Sequence, residues 1–150
     1  MRCITIWQPW ASLIAYGYKR FETRSWATKY RGPIAIHAGK TFNKRVFWDL
    51  VDHYYSDDRM NEDLPTGAII AVAELVDCWK VVEEHLLEAQ LPGEKRVKFL
   101  DVKEIPFGDF TPGRYAWELA NVQRIEPIPM KGQQGLWNWG GERDGSNSEV

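Results

Sequence analysis

The chain is short of several things that would declare a function. Cysteine occurs twice, at Cys3 and Cys78, without C-x-x-C spacing, which argues against a thiol-rich zinc site or a dithiol redox pair. Both cysteines lie in apolar, strand-like runs and are expected to be buried free thiols. His37, His53 and His85 share no metal-ligand spacing, so neither a metal nor another cofactor is expected. No apolar run approaches the roughly 20 residues that cross a bilayer. Gln8, Pro9 and Trp10 interrupt any charged-then-apolar leader, so the expectation is a cytoplasmic protein that does not engage membranes. The nucleophile elbow G-x-S-x-G, the phosphate loop G-x-x-x-x-G-K-[ST] and the dinucleotide fingerprint G-x-G-x-x-G are all missing. So are internal repeats, low-complexity tracts and a Pro/Ser linker, which points to one domain, residues 1–140, and a Gly-, Ser- and acid-rich tail over 141–150.

Acid is scarce where it matters most. Residues 1–45 hold nine Lys/Arg and a single carboxylate, Glu22, for a net charge of +8; residues 46–150 hold ten bases and twenty acids, for −10. A net charge of −2 for the whole chain disfavours tight, non-specific binding to long nucleic acid. The split suggests a polyanion-facing side with an acidic back, unless the two parts interleave in the fold. What the chain does have is a core, with 44% hydrophobic residues in 150, enough for one folded domain.

The patterning predicts an α+β protein built on a small curled β-barrel of five to six strands with two to three helices. Arg2 to Trp7 reads as a strand. Pro9 suits a first helical turn, Ala11 to Ala15 continues it, and Gly17 stops it. Phe21–Trp26 and Ile34–Ala38 are strands. A helix over about Asn43–Tyr55 puts Val46, Phe47, Leu50 and Val51 on one face, and an acidic loop, Asp57–Glu62, follows. Ala68–Trp79 is the longest strand, and a short helix is expected over Val82–Ala89. Arg114–Leu119, Val122–Ile125 and Leu136–Trp139 complete the strands.

The densest functional signal is Gly17-Tyr18-Lys19-Arg20-Phe21-Glu22-Thr23-Arg24, a G-x-K-x-x-E-x-R run behind Ile6-Trp7-Gln8-Pro9-Trp10. On a strand, Glu22 and Arg24 project to one face. Arg24 offers a rigid fork for a phosphate or a base edge. Lys19 offers a point charge or, with a depressed pKa, a base. The alternative is a structural Glu22–Arg24 ion pair. Eight tryptophans are many for this length. Trp7, Trp10 and Trp26 adjoin the basic residues and are the ones placed to stack on a base, whereas most of the others serve the core. His37, ending a buried strand near Lys40, is a further ligand-binding candidate. Glu74, a carboxylate in an apolar strand, is an acid–base candidate or a rim residue.

These residues together resemble the ASCH domain family, within the PUA-like group. The resemblance rests on Ile6-Trp7-Gln8-Pro9-Trp10-Ala11, on Gly17, Lys19, Glu22 and Arg24, on Arg24-Ser25-Trp26, Tyr30-Arg31-Gly32-Pro33, Ile36-His37-Ala38 and Gly135-Leu136-Trp137-Asn138-Trp139. It implies a PUA-like barrel with a cleft beside the first helix and a function linked to RNA. Some family members hydrolyse N4-acylated cytidine with a lysine, a threonine and a glutamate, another has been described as a ribonuclease, and others are fused to proteins of transcription or translation. By motif position Lys19 aligns with the hydrolase lysine and Glu74 with its glutamate. Glu22 stands where those hydrolases carry the threonine, which removes the nucleophilic hydroxyl.

Two functions follow as expectations. One is an RNA- or nucleotide-binding domain, with Trp7, Trp10, Lys19, Arg24, Trp26, His37 and Lys40 around a base and phosphate. The other is a hydrolase acting on RNA or a modified nucleoside through Lys19, Glu22 and Glu74.

Overall fold

The structure is a computed structural model and describes residues 1–54, 60 and 64–140, without the side chains of 51–54. The expected acidic loop (except Met60), Tyr55, the side chains of Val51 and His53 and the 141–150 tail therefore lie outside the described residues.

Eight strands form one sheet: β1 (Arg2–Gln8), β2 (Phe21–Arg24), β3 (Gly32–Phe42), β4 (Ala68–Glu83), β5 (Glu88–Gln90), β6 (Lys98–Phe99), β7 (Tyr115–Pro129) and β8 (Leu136–Asn138). The main order is β2-β7-β4-β3-β1-β8, with β5 beside β4 and β6 beside β5. Among the described strands only β1 and β3 run parallel; the other ladders are antiparallel. Two α-helices, α1 (Trp10–Ala15) and α2 (Lys44–Tyr54), and a 3-10 turn, η1 (Val102–Phe107), complete the described elements. The α+β class and the curled sheet expected from the sequence both hold.

The curl has a local cause. The β4–β7 ladder slips register between Ile69 and Ala71, Val72 and Glu74, and Leu75 and Asp77, and each such bulge bends the strand and adds twist. The sheet folds far enough that Arg24, on edge strand β2, donates from Nη2 to the Thr5 carbonyl of β1 at 2.9 Å. β3 is covered on both faces, which explains its unbroken apolar run. Ile34, Ile36 and Ala38 face one cluster with Ile4, Ile6, Ile14 and Trp117, while Ala35 faces another with Cys3, Ile69 and Trp137. Cys3 and Cys78 are buried free thiols, and burial pushes the Cys3 thiol up to about 12.

The largest departure lies at residues 82–89. Glu83, Glu84, Leu86, Leu87 and Glu88 carry good helix propensity, yet β4 runs on to Glu83 and turns back as β5. The Glu83 carboxylate accepts the His85 and Leu86 amides at 2.8 and 2.7 Å, closing the turn. Val81, Leu87 and Ala89 are buried in the cluster around Trp79 and Phe110, so strand pairing overrides local preference. The two strand segments expected over 114–125 are one strand, β7, running to Pro129. Among the described residues no helix is long and apolar enough to cross a membrane.

Candidate functional site

The W-Q-P-W segment builds the start of the site. Gln8 is fully buried; its Oε1 accepts the Ser12 amide at 2.9 Å, and its Nε2 donates to Ser12 Oγ and to the Pro65 carbonyl, both at 2.7 Å. Gln8 thereby caps α1, satisfying an amide that the helix leaves without a partner. Pro9 occupies the N-cap. The two tryptophans on either side are left facing outward: Trp7 is 55% exposed and Trp10 half-buried.

The end of α1 sets Lys19. Gly17 takes φ +85°; its amide returns to Ile14 O at 3.0 Å and that of Tyr18 to Leu13 O at 2.9 Å, a Schellman closure that needs a left-handed residue. The chain then enters β2 with Lys19 pointing inward. Its side chain is 1% exposed, and its Nζ donates to the Phe107 carbonyl at 2.6 Å and lies 3.6 Å from Glu22 Oε1. Burial lowers the Lys19 pKa below the ordinary 10.5, against the opposing pull of Glu22 and Glu104.

Glu22 and Arg24 share a strand face as the period-2 pattern requires. Arg24 Nε donates to Glu22 Oε2 at 2.9 Å. With Nη2 held by Thr5 O, most of the Arg24 fork serves the fold, in keeping with the ion-pair alternative. Two adjoining cavities open above this cluster. One, of about 390 Å³, is lined by Trp10, Lys19, Glu22, Thr23 and the Phe107–Asp109 segment. The other, of about 440 Å³, is lined by Thr5, Trp7, Trp10, Glu22, Arg24 and Arg114. Trp10, Glu22 and Thr23 belong to both, so the two form one cleft.

The structure thus brings Trp7, Trp10, Lys19, Glu22 and Arg24 together. Trp26 is 37% exposed and stacks edge-on against buried Trp117 at 4.8 Å, lining neither cavity. Glu74 also lines neither. It pairs in register with Pro33 and Ala120, level with the start of β1, where Arg2 pairs with Ile34. Lys19 instead sits with η1, bonded to the Phe107 carbonyl, in the cavity it shares with Trp10 and Glu22. His37 and Lys40 line a third cavity, of about 330 Å³, together with Thr5 and Trp7. His37 is buried and held on both sides, its Nδ1 3.2 Å from Thr5 Oγ1 and its Nε2 2.8 Å from the Met130 carbonyl. A carbonyl only accepts, so Nε2 carries the hydrogen.

Three contributors were not singled out from the sequence. Glu104 is 2% exposed, and its carboxylate accepts the Arg20 and Phe21 amides at 3.0 and 3.2 Å. Burial raises its pKa, partly offset by those amides and by Lys19. The Asp101…Glu104 spacing marks a capped turn, and Asp101 does cap η1 through the Lys103 amide; nothing local points Glu104 at β2. The Phe107 carbonyl carries no side-chain signal at all. Arg114 follows a Pro-Gly turn and reaches the cleft from the acidic part of the sequence. In the other direction, Arg20 pairs with Asp101 at 2.8 Å and Arg31 lies 3.9 Å from Asp77. The charge split is therefore partly interleaved.

The fold and cleft define an α+β domain with a curled sheet and a lysine buried beneath a tryptophan-flanked opening. The ASCH domain model matches residues 4–129, so the chain belongs to the ASCH domain family. Over 81 residues, 51% of this chain, it is 37% identical to Activating signal cointegrator 1 of Mus musculus and 36% identical to the Homo sapiens protein of that name. The match spans only 14% of the length of either relative. Among solved structures, a mutant ASCH protein from Zymomonas mobilis superposes with a TM-score of 0.50 at 20% identity, covering 85% of this chain and 74% of that one. At that identity the likeness is one of fold.

Proposed function

We propose that this chain is an RNA- or nucleotide-binding domain whose cleft beside α1 takes one unstacked base and its adjoining phosphate. One observation carries the reading: Trp7, Trp10, Arg24 and Arg114 face a single cavity of about 440 Å³, within the size range of small-molecule sites. An indole offers a stacking face to any base, worth about 1–3 kcal/mol. The cations supply the field for a phosphate. Arg114 donates to the Asp109 and Thr23 carbonyls at 3.1 and 3.5 Å and pairs with an exposed carboxylate, whereas Arg24 is paired with the mostly buried Glu22. Glu22 faces the same space and can accept an exocyclic amine of a base. Quenching of tryptophan fluorescence on titration with 5′-CMP tests this. Saturable quenching that weakens in Trp10→Ala is expected; no quenching by 5′-CMP or by a short RNA overturns the reading.

A second reading, a hydrolase acting on RNA or an N4-acylated cytidine, is favoured by the burial of Lys19 between two carboxylates. A lysine whose pKa burial lowers is a stronger candidate for a base than an exposed one. In this reading Glu22 or Glu104 is the acid beside Lys19, since Glu74 lines neither cavity of the cleft. Chromatography of N4-acetylcytidine incubated with the chain decides it. Product that disappears in Lys19→Ala supports the enzyme; no product from N4-acetylcytidine or a short RNA removes it.

A further inference from the structure

Behind Trp7 lies the third cavity, and its lining differs from that of the cleft. Lys40 at the end of β3 and Lys131 in the loop before β8 flank it, Gln133 and Gln134 add amide groups, and among the described residues no carboxylate lines it. Among the described residues neither Lys40 nor Lys131 has an ion-pair or hydrogen-bond partner. Its floor is the Thr5–His37 pair, and those groups are already committed: Trp137 Nε1 donates to Thr5 Oγ1 at 3.2 Å, and His37 is held as described. The floor is thus a finished polar surface, and the free hydrogen-bonding capacity sits on the rim. Gly132 lies directly on this floor. A Cβ there would fall 2.7 Å from both Thr5 Oγ1 and His37 Cε1, so the loop hugs the floor only because residue 132 has no side chain.

Thr5 and Trp7 line both this cavity and the cleft. Trp10, Glu22 and Thr23 continue the cleft down to Lys19. The three cavities are therefore neighbours in a row, and the exposed Trp7 indole borders the second and third.

We propose that the cavity behind Trp7 is a second nucleotide subsite, so that the ligand is a single-stranded nucleic acid of at least two nucleotides passing over Trp7. This rests on the reading of the cleft as a nucleotide site. Trp7 gives a stacking surface at the divide, Lys40 and Lys131 take the next phosphate, and Gln133 and Gln134 meet the second base edge with donors and acceptors. Duplex does not fit, because a base must be unstacked to enter the cleft beside Trp10.

The test is a titration of the whole chain with 5′-UMP, labelled hexauridylate and labelled hexadeoxythymidylate. Hexauridylate is expected to bind at least tenfold more tightly than 5′-UMP. Lys131→Glu, an exposed position, is expected to weaken hexauridylate at least fivefold and to shift 5′-UMP less than twofold. It should also flatten the dependence of log affinity on log salt by about 0.7 or more, as expected for one lost phosphate contact on a single strand. Gly132→Ala, which lifts the loop off its floor, should act in the same direction. A deoxy strand bound as tightly as the ribo strand assigns the site to either single-stranded polymer; a weaker one assigns it to RNA. If 5′-UMP binds as tightly as hexauridylate, or Lys131→Glu weakens both ligands equally or neither, the second subsite is overturned while the cleft stands. If neither ligand binds the wild type, both readings fall.

Discussion

Glu22 is shared between two cations: its Oε1 lies 3.6 Å from Lys19 Nζ, and its Oε2 accepts Arg24 Nε at 2.9 Å. Lys19 is buried and Arg24 is tied onward to the Thr5 carbonyl. One carboxylate thereby links the end of α1, the edge strand β2 and the backbone of β1. The lone acid of the basic first 45 residues is the joint that closes the curled sheet and the wall of the cleft it creates.

Burial of Lys19 gives stability a specific pH dependence. Its folded pKa lies below 10.5, so between the folded value and 10.5 the unfolded chain binds more protons than the folded one. Stability then rises with pH across that window. Lys19→Met removes the titrating group and should flatten this limb. Urea unfolding of both proteins from pH 6 to pH 10 checks it. Parallel profiles would mean that Lys19 does not titrate abnormally.

Glu104 is a structural acceptor first. Glu104→Ala leaves the Arg20 and Phe21 amides without their partner and should cost about 1–3 kcal/mol for each orphaned group that stays dry. Its raised pKa has the opposite sign to the usual carboxylate. Between 4.5 and the folded value the folded state holds the extra proton, so this group's contribution falls as pH rises through that window. Denaturant midpoints of wild type and Glu104→Ala at pH 4 and pH 7 measure both effects. An unchanged midpoint would show that water replaces the carboxylate.

Much of the fold was legible because burial is two-sided where the sequence is continuously apolar. The 34–38 run is a central strand, and Asn43 caps the second helix through the Val46 amide as the helix pattern anticipated. The candidate cleft was legible in its local part, since Trp7, Trp10, Lys19, Glu22 and Arg24, which line it, fall within eighteen residues. What arrived from far along the chain was not. The Phe107 carbonyl reaches Lys19 across 88 residues, and Glu104 reaches the Phe21 amide across 83; neither leaves a periodic trace. Glu74 had the composition of a site residue, an acid in an apolar strand, but its register with Pro33 and Ala120 is fixed by bulges that sequence spacing does not encode.

Thr5 joins two buried rings. Its hydroxyl accepts Trp137 Nε1 and meets His37 Nδ1, each at 3.2 Å. Thr5→Val keeps the shape and removes both contacts, and should destabilise by about 1–3 kcal/mol, the cost of a buried polar group left unpaired. Thr5→Ser should lose less than half of that. Equal midpoints for the Val and Ser variants in urea would show that the hydroxyl contributes nothing.

The two arginines of the cleft should separate by role. Arg24→Ala strips Glu22 of its 2.9 Å partner and releases the Thr5 carbonyl. Removing one member of a mostly buried pair is costly, up to about 3–5 kcal/mol when it is fully buried, so a loss of about 2 kcal/mol or more is expected. Arg114 pairs at 3.4 Å with Asp109, whose side chain is 59% exposed, and such pairs contribute at most about 1 kcal/mol. Arg114 also donates to the Asp109 and Thr23 carbonyls, so Arg114→Ala should cost some stability, but less than Arg24→Ala, while losing nucleotide affinity, with its salt dependence flattened by about 0.7 per phosphate contact removed. Thermal unfolding and a salt series of RNA titrations on both variants give the comparison. Arg114→Ala with unchanged affinity and slope would remove it from the binding site, and Arg24→Ala with wild-type stability would undo the role assigned to the Glu22 bridge.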